Sequence, residues 1–160
     1  MSFRIRAATD EDRPALLEQA WQLNIYGEPI SHDRRIDKTG AEDTQQATLN
    51  RVAKSGGTVL VAEMDGRVVG HLFLSFETHP IYVRPELRPY AYIAELFIRE
   101  EARDRGIGRA LVAEAERIAA ERGMDKIMIG VLAGNTMAEE AYARYGFRPY
   151  SHELVKPIKR

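Results

Sequence analysis

Phe3-Arg4-Ile5-Arg6-Ala7 alternates apolar and polar positions with a period of two, which predicts a first strand. A helical period follows. Thr9 or Asp10 can cap it, and Pro14, Leu16, Leu17, Ala20, Trp21, Leu23 and Ile25 carry it to about Tyr26, where Gly27, Glu28, Pro29 and Ser31 are expected to break it. A polar stretch leads to Gly40. A second, more polar helix spans about 41–54 and ends at Gly56-Gly57. Two β-rich runs, 58–63 and 67–74, flank Met64-Asp65-Gly66, a hairpin signal. Segment 79–90 holds three prolines and reads as a loop rich in aromatic and basic side chains. Strand 92–98 follows.

A helix with Leu111, Ala115, Ile118 and Ala119 on its buried stripe then runs to Gly123. Residues 126–131 read as a strand. Asn135 caps a last helix to about Tyr145, and Phe147-Arg148-Pro149-Tyr150 opens a final strand ending near Leu154. The order β-α-α-β-β-β-α-β-α-β predicts an α/β (α+β) domain: a mixed sheet with helices on both faces. Its strand–loop–helix–strand unit should be parallel and right-handed.

Composition narrows the function. The chain has 160 residues, enough for one domain, expected to span 1–160. A net charge of −1 argues against a general nucleic-acid or membrane-surface binder. The absence of cysteine removes disulfides and thiolate nucleophiles, and the four histidines lack ligand spacing, so no metal is expected. With no apolar signal core at the start and no apolar run of membrane length, a cytoplasmic protein is expected.

The most informative stretch is Leu96-Phe97-Ile98 followed by Arg103-Asp104-Arg105-Gly106-Ile107-Gly108-Arg109-Ala110. Glycines at a strand-to-helix turn let backbone N–H groups converge at a helix N-terminus, an anion site suited to phosphate. A P-loop would need Gly-Lys-Ser/Thr, and Gly108 is followed by Arg109. A dinucleotide fingerprint would need a third small residue where Leu111 stands.

This segment resembles the signature Arg/Gln-x-x-Gly-x-Gly/Ala of the GCN5-related N-acetyltransferases (GNAT), preceded at the usual distance by the triplet Leu96-Phe97-Ile98. Asn135-x-x-Ala138-x-x-x-Tyr142 and Tyr145-Gly146-Phe147 match a second family pattern. The resemblance implies a mostly antiparallel sheet of about six or seven strands, with the strand ending at Ile98 splayed from the parallel strand near Ile129. It implies acetyl-CoA as cosubstrate. Its pyrophosphate would rest on the loop Arg103–Ala110, and its pantetheine would pair with the backbone of Leu96, Phe97 and Ile98, with Asn135 and Tyr142 alongside. Many relatives have Gly where Asp104 stands.

The family further implies that the N–H of Leu96 steadies the thioester oxygen and that Tyr142 protonates the leaving thiolate. A base, a water chain to one, or an environment that lowers the amine pKa is needed, because an alkyl amine is protonated at neutral pH. Relatives place Glu at Ala94. Glu95 is the favoured candidate, though alternation sends it to the other face unless a bulge rotates it. Tyr92, Glu77, His71 and His79 are further candidates. Glu28, Asp33 and Asp37 could attract an amine, and Arg84 and Arg88 could hold a carboxylate. The expected function is acetyl transfer to a primary amine of a small molecule or peptide; the alternative is a non-catalytic acyl-CoA-binding or sensing module. The expected partner is a small-molecule amine, with no nucleic acid and no membrane; a homodimer is left open.

Overall fold

Asp65 and Gly66 both adopt left-handed backbone, with φ of 52° and 74°. Two such residues let a tight turn follow the twist of its strands, and this one joins β2 (Thr58–Met64) to β3 (Arg67–Thr78). The computed structural model describes residues 2–160. Its one sheet has five strands in the order β1-β2-β3-β4-β5, with β1 at Phe3–Ala7, β4 at Pro89–Ile98 and β5 at Ile127–Ile129. The first four strands pair antiparallel and β5 joins β4 in parallel. No described helix is long and apolar enough to cross a membrane.

Helices cover both faces. α1 (Arg13–Ser31) and α2 (Lys38–Ser55) bury Leu16 and Val52 against Val61 and Phe73. On the opposite face α3 (Ile107–Glu121) buries Ile107, Leu111, Val112, Ala115 and Ala119 against Leu60, Leu72, Leu74 and Ile93. α4 (Thr136–Arg144) is capped by Asn135, whose side chain accepts from the Ala138 N–H.

Two expectations fail. α1 does not stop at Tyr26. Gly27 is buried, and Pro29 falls so near the end that it costs few helical bonds. His32 then closes the helix in left-handed conformation, its N–H bonded to the Glu28 carbonyl. The final strand is also absent, so the sheet has five strands rather than six or seven. Gly146 turns the chain at φ 99°, and the Phe147 N–H closes back on the Tyr142 carbonyl while its ring packs on the α3 core. Pro149 has no N–H to give a ladder, and residues 147–160 form no regular structure.

Candidate active site

β5 pairs with β4 through only three residue pairs, the last being Ile93 with Ile129. The next residue, Ala94, is a bulge against β3: Ile93 faces Leu74 and Glu95 faces Phe73. The bulge places two successive residues on one face. Ala94 packs into the α1/α2 core, and Glu95 lies on that same side, beside His71. Beyond it, β4 runs to Ile98 with no strand on its β5 side among the described residues. The Arg99 N–H donates to the Val69 carbonyl at 2.8 Å, so its backbone turns toward β3. Alternation then turns the backbone of Phe97 toward β3, and that of Leu96 and Ile98 toward the open edge. The Ile98 carbonyl accepts there from Arg103 Nε at 3.1 Å.

The loop after β4 is shaped at two positions. Asp104 sits at φ 60° and Gly106 at φ 81°. The first value explains why glycine would suit position 104; aspartate is among the few other residues that tolerate that region. Its carboxylate is exposed and pairs with neither Arg103 nor Arg105 in the described structure. The first helical bond of α3 runs from the Ala110 N–H to the Gly106 carbonyl, leaving the amides before it without helical partners. Arg109 is turned aside from the loop. It donates to the Arg144 carbonyl at 2.9 Å and lies over the Tyr145 ring.

α4 brings Tyr142 and Asn135 together with residues outside the sequence-derived set. Tyr26 on α1 donates to Asn135 Oδ1 at 3.2 Å, and Tyr145 and Phe147 flank the Tyr142 ring. Burial, followed by the nearby Tyr145 and Tyr26 hydroxyls, pushes the Tyr142 phenol up to about 12. The phenol therefore keeps its proton throughout the physiological range.

Glu95 is 7% exposed and its Oε1 lies 2.7 Å from His71 Nε2. His71 is fully buried between the rings of Phe73 and Phe97, and its Nδ1 meets Gln19 Oε1 at 2.7 Å. Gln19 was not anticipated as part of the site. A glutamine in the apolar stripe Leu16-Gln19-Ala20-Leu23 was the available signal, as was a histidine inside Val69–Leu74.

The remaining candidates are engaged elsewhere. Glu77 accepts from Arg51 and Ser75; burial works against its charge, but these bonds hold it below the usual carboxylate range. Tyr92 lies under the Arg51 guanidinium. His79 stacks on Tyr90 at 4.1 Å, and burial, with Lys126 nearby, pulls it down. At the end of α1 Glu28 accepts from the Arg34 N–H; in the α1–α2 connection Asp33 accepts from Ser31, and Asp37 caps α2 through the Gly40 N–H. Arg88 braces its own loop on the carbonyls of Ile81 and Val83, and Arg84 lies 4.0 Å from Glu86. No cluster of three or more His, Asp or Glu among the described residues could hold a metal ion.

Residues 16–147 match the acetyltransferase (GNAT) family, and the chain belongs to it. An uncharacterized N-acetyltransferase of Methanocaldococcus jannaschii is 36% identical over 96 residues, 60% of this chain and 40% of that one. A mycothiol acetyltransferase of Cellulomonas flavigena is 31% identical over 91 residues, 55% of this chain and 26% of that one. The chain thus matches less than half the length of either relative. A predicted acetyltransferase from Clostridium acetobutylicum, solved with acetyl-CoA, superposes with a TM-score of 0.72 at 19% identity, covering 98% of this chain and 96% of that one.

Proposed function

We propose that the protein is an acetyl-CoA-dependent N-acetyltransferase acting on a primary amine of a small molecule or peptide, by direct attack while both substrates are bound. One observation carries this reading: the Ala94 bulge. The same step of chain that ends the β4–β5 pairing also turns the Glu95 carboxylate inward beside the opened edge. The fit to acetyl-CoA rests on two features of the chain. The outward backbone of Leu96 and Ile98 suits an extended amide-bearing arm, and the unpartnered amides at Gly106–Arg109 suit a pyrophosphate. When bound there, acetyl-CoA supplies an activated acetyl thioester.

The protein's residues divide the remaining work. Glu95 takes a proton from the ammonium and so creates the nucleophile. The Leu96 N–H points at the edge where negative charge develops on the carbonyl oxygen; one such donor is worth about 10²–10³ in kcat. Tyr142 gives its phenolic proton to the departing sulfur. The N–C bond forms as the C–S bond breaks, the second amine proton restores the Tyr142 phenol, and the proton taken by Glu95 is the one released overall. Main-chain groups of Leu96 and Ile98 and the amides of Asp104–Arg109 carry the cosubstrate, with Asn135 ordering the start of α4. The expected roles of the Phe97, Arg103 and Ala110 main chain fall away, because Phe97 is paired to β3 and the other two N–H groups are bonded to the Glu100 and Gly106 carbonyls.

Titration with acetyl-CoA, ATP and NAD, followed by an amine screen reading CoA thiol release, tests the assignment. Binding of acetyl-CoA alone with release on an amine is expected. Binding without release on any amine would leave the non-catalytic module. Tyr142→Phe should lower kcat by about 10²–10⁴ with little change in acetyl-CoA affinity. Wild-type turnover in that variant would return Tyr142 to a packing role.

A further inference from the structure

Glu95 is not a solitary carboxylate. It ends a buried chain that starts at the backbone of β3. Gln19 Nε2 donates to the Val68 carbonyl at 3.0 Å, which fixes the orientation of that amide. Reversing it would set two oxygens against each other. Gln19 Oε1 therefore faces His71 Nδ1, and since it can only accept, Nδ1 must carry a hydrogen. The other ring nitrogen, Nε2, faces Glu95 Oε1 at 2.7 Å, a distance that requires one hydrogen between them. Gln19 and His71 are 0% exposed, and each ring nitrogen already has a protein partner at 2.7 Å. Charged groups on the surrounding elements are committed elsewhere: Glu18 of α1 to Arg99 at the end of β4, and Glu77 of β3 to Arg51 of α2.

We propose that His71 and Gln19 are positioning residues that make Glu95 and His71 a single proton-accepting pair. This rests on the reading of Glu95 as the base. With Nδ1–H pinned by Gln19, the pair holds one proton at rest, between Nε2 and Oε1. When Glu95 accepts the proton of the substrate ammonium at its other oxygen, the Oε1 side passes its hydrogen to Nε2, or finds it already there. The pair then holds two protons: a carboxylic acid on Glu95 and an imidazolium stabilised by Gln19. The positive charge comes to rest in the interior, away from the incoming amine. One proton leaves the ammonium and one is gained by the pair. Gln19 thus does for His71 what an orienting partner does in other acid–base pairs, selecting the tautomer that presents a bare nitrogen toward the carboxyl group.

Ring-nitrogen NMR of ¹⁵N-histidine-labelled protein tests the first half without any acceptor. His71 should show Nδ1 protonated from pH 6 to 9. A neutral His71 with its proton on Nε2 would overturn the proposal. Kinetics on the amine found by the screen test the second half. Gln19→Leu should move the acidic limb of kcat/KM and lower its plateau by roughly ten- to a hundredfold, the usual cost of losing an orienting partner. Acetyl-CoA affinity should stay within about twofold of wild type, since Gln19 lies away from the open edge. Gln19→Glu gives up the bond to the Val68 carbonyl but keeps an acceptor for Nδ1–H and adds negative charge, so it should retain the tautomer and shift the acidic limb to higher pH. An unmoved pH profile in both variants, with Glu95→Gln inactive, would make Gln19 and His71 packing residues and overturn the proposal. Full turnover in Glu95→Gln would overturn the base reading itself, whatever the tautomer.

Discussion

Asp12 is 6% exposed where β1 meets α1, and its carboxylate receives both terminal nitrogens of Arg6, at 2.7 and 2.9 Å, and the Thr9 N–H at 2.7 Å. The Arg6 bond, followed by the Thr9 N–H, outweighs the burial that opposes its charge and holds the Asp12 carboxyl below its ordinary range. A depressed native value stabilises the fold above the unfolded value, near ~3.9, and that stability is lost as pH falls through the native one. Asp12→Asn should therefore cost about 1.5–3 kcal/mol at pH 7. The difference from wild type should shrink below about pH 4, as read from urea unfolding at the two pH values. Nothing local in the sequence marks Asp12 as the partner of Arg6; their pairing is created where the end of β1 turns back onto the start of α1. Glu95 is the sharper case. Alternation alone sends it away from Ala94, and only the pairing of β4 with β3 creates the bulge that brings it back.

Elements whose rules are local were readable. The Asp65-Gly66 turn, the Asn135 cap and the helix after Gly106 follow from residues within a few positions of each other. Those decided by tertiary contact were not: α1 runs through Gly27 because Arg34 and Leu132 pack against that position. The α3–α4 contact is of the same kind. A Cβ on Gly108 would collide with the Tyr145 hydroxyl and come within 3.2 Å of the ring carbon bearing it. Gly108→Ala should thus cost about 1–3 kcal/mol by overpacking. Tyr145→Phe in the same chain should restore part of that loss, in a double-mutant cycle of thermal unfolding. Additive losses would mean that the two side chains do not meet.

At the scale of the molecule, the two helical layers are linked at α4: Tyr26 of α1 reaches Asn135 at its start, and Arg109 of α3 reaches Arg144 at its end. A ligand spanning the open β4 edge and the α3 amides would tie the same parts together. Acetyl-CoA at about 100 times its dissociation constant should stabilise the fold by about 2.7 kcal/mol. That is an upward shift in Tm of roughly 5–10 °C for a chain of this length. An unchanged Tm at saturation would count against the cleft. The mixed sheet with helices on both faces followed from element order, while the strand count did not. Position 147 looked like the start of a strand, yet the Phe147 N–H was already spent on the turn of α4.

The brevity of β5 sets an order of assembly. The β2–β3 hairpin closes over a two-residue turn and pairs along seven positions, so it forms cheaply and opens rarely. β5 meets β4 only after α3 has been threaded between them, and three residue pairs reward that long closure. The crossover should be the last part to fold and the first to open from the native state. Amide hydrogens of Ile127–Ile129 should exchange well before those of Leu60–Ala62, at a rate set by a local opening that leaves the hairpin intact. Equal exchange rates in the two strands would mean that the sheet opens only as a whole.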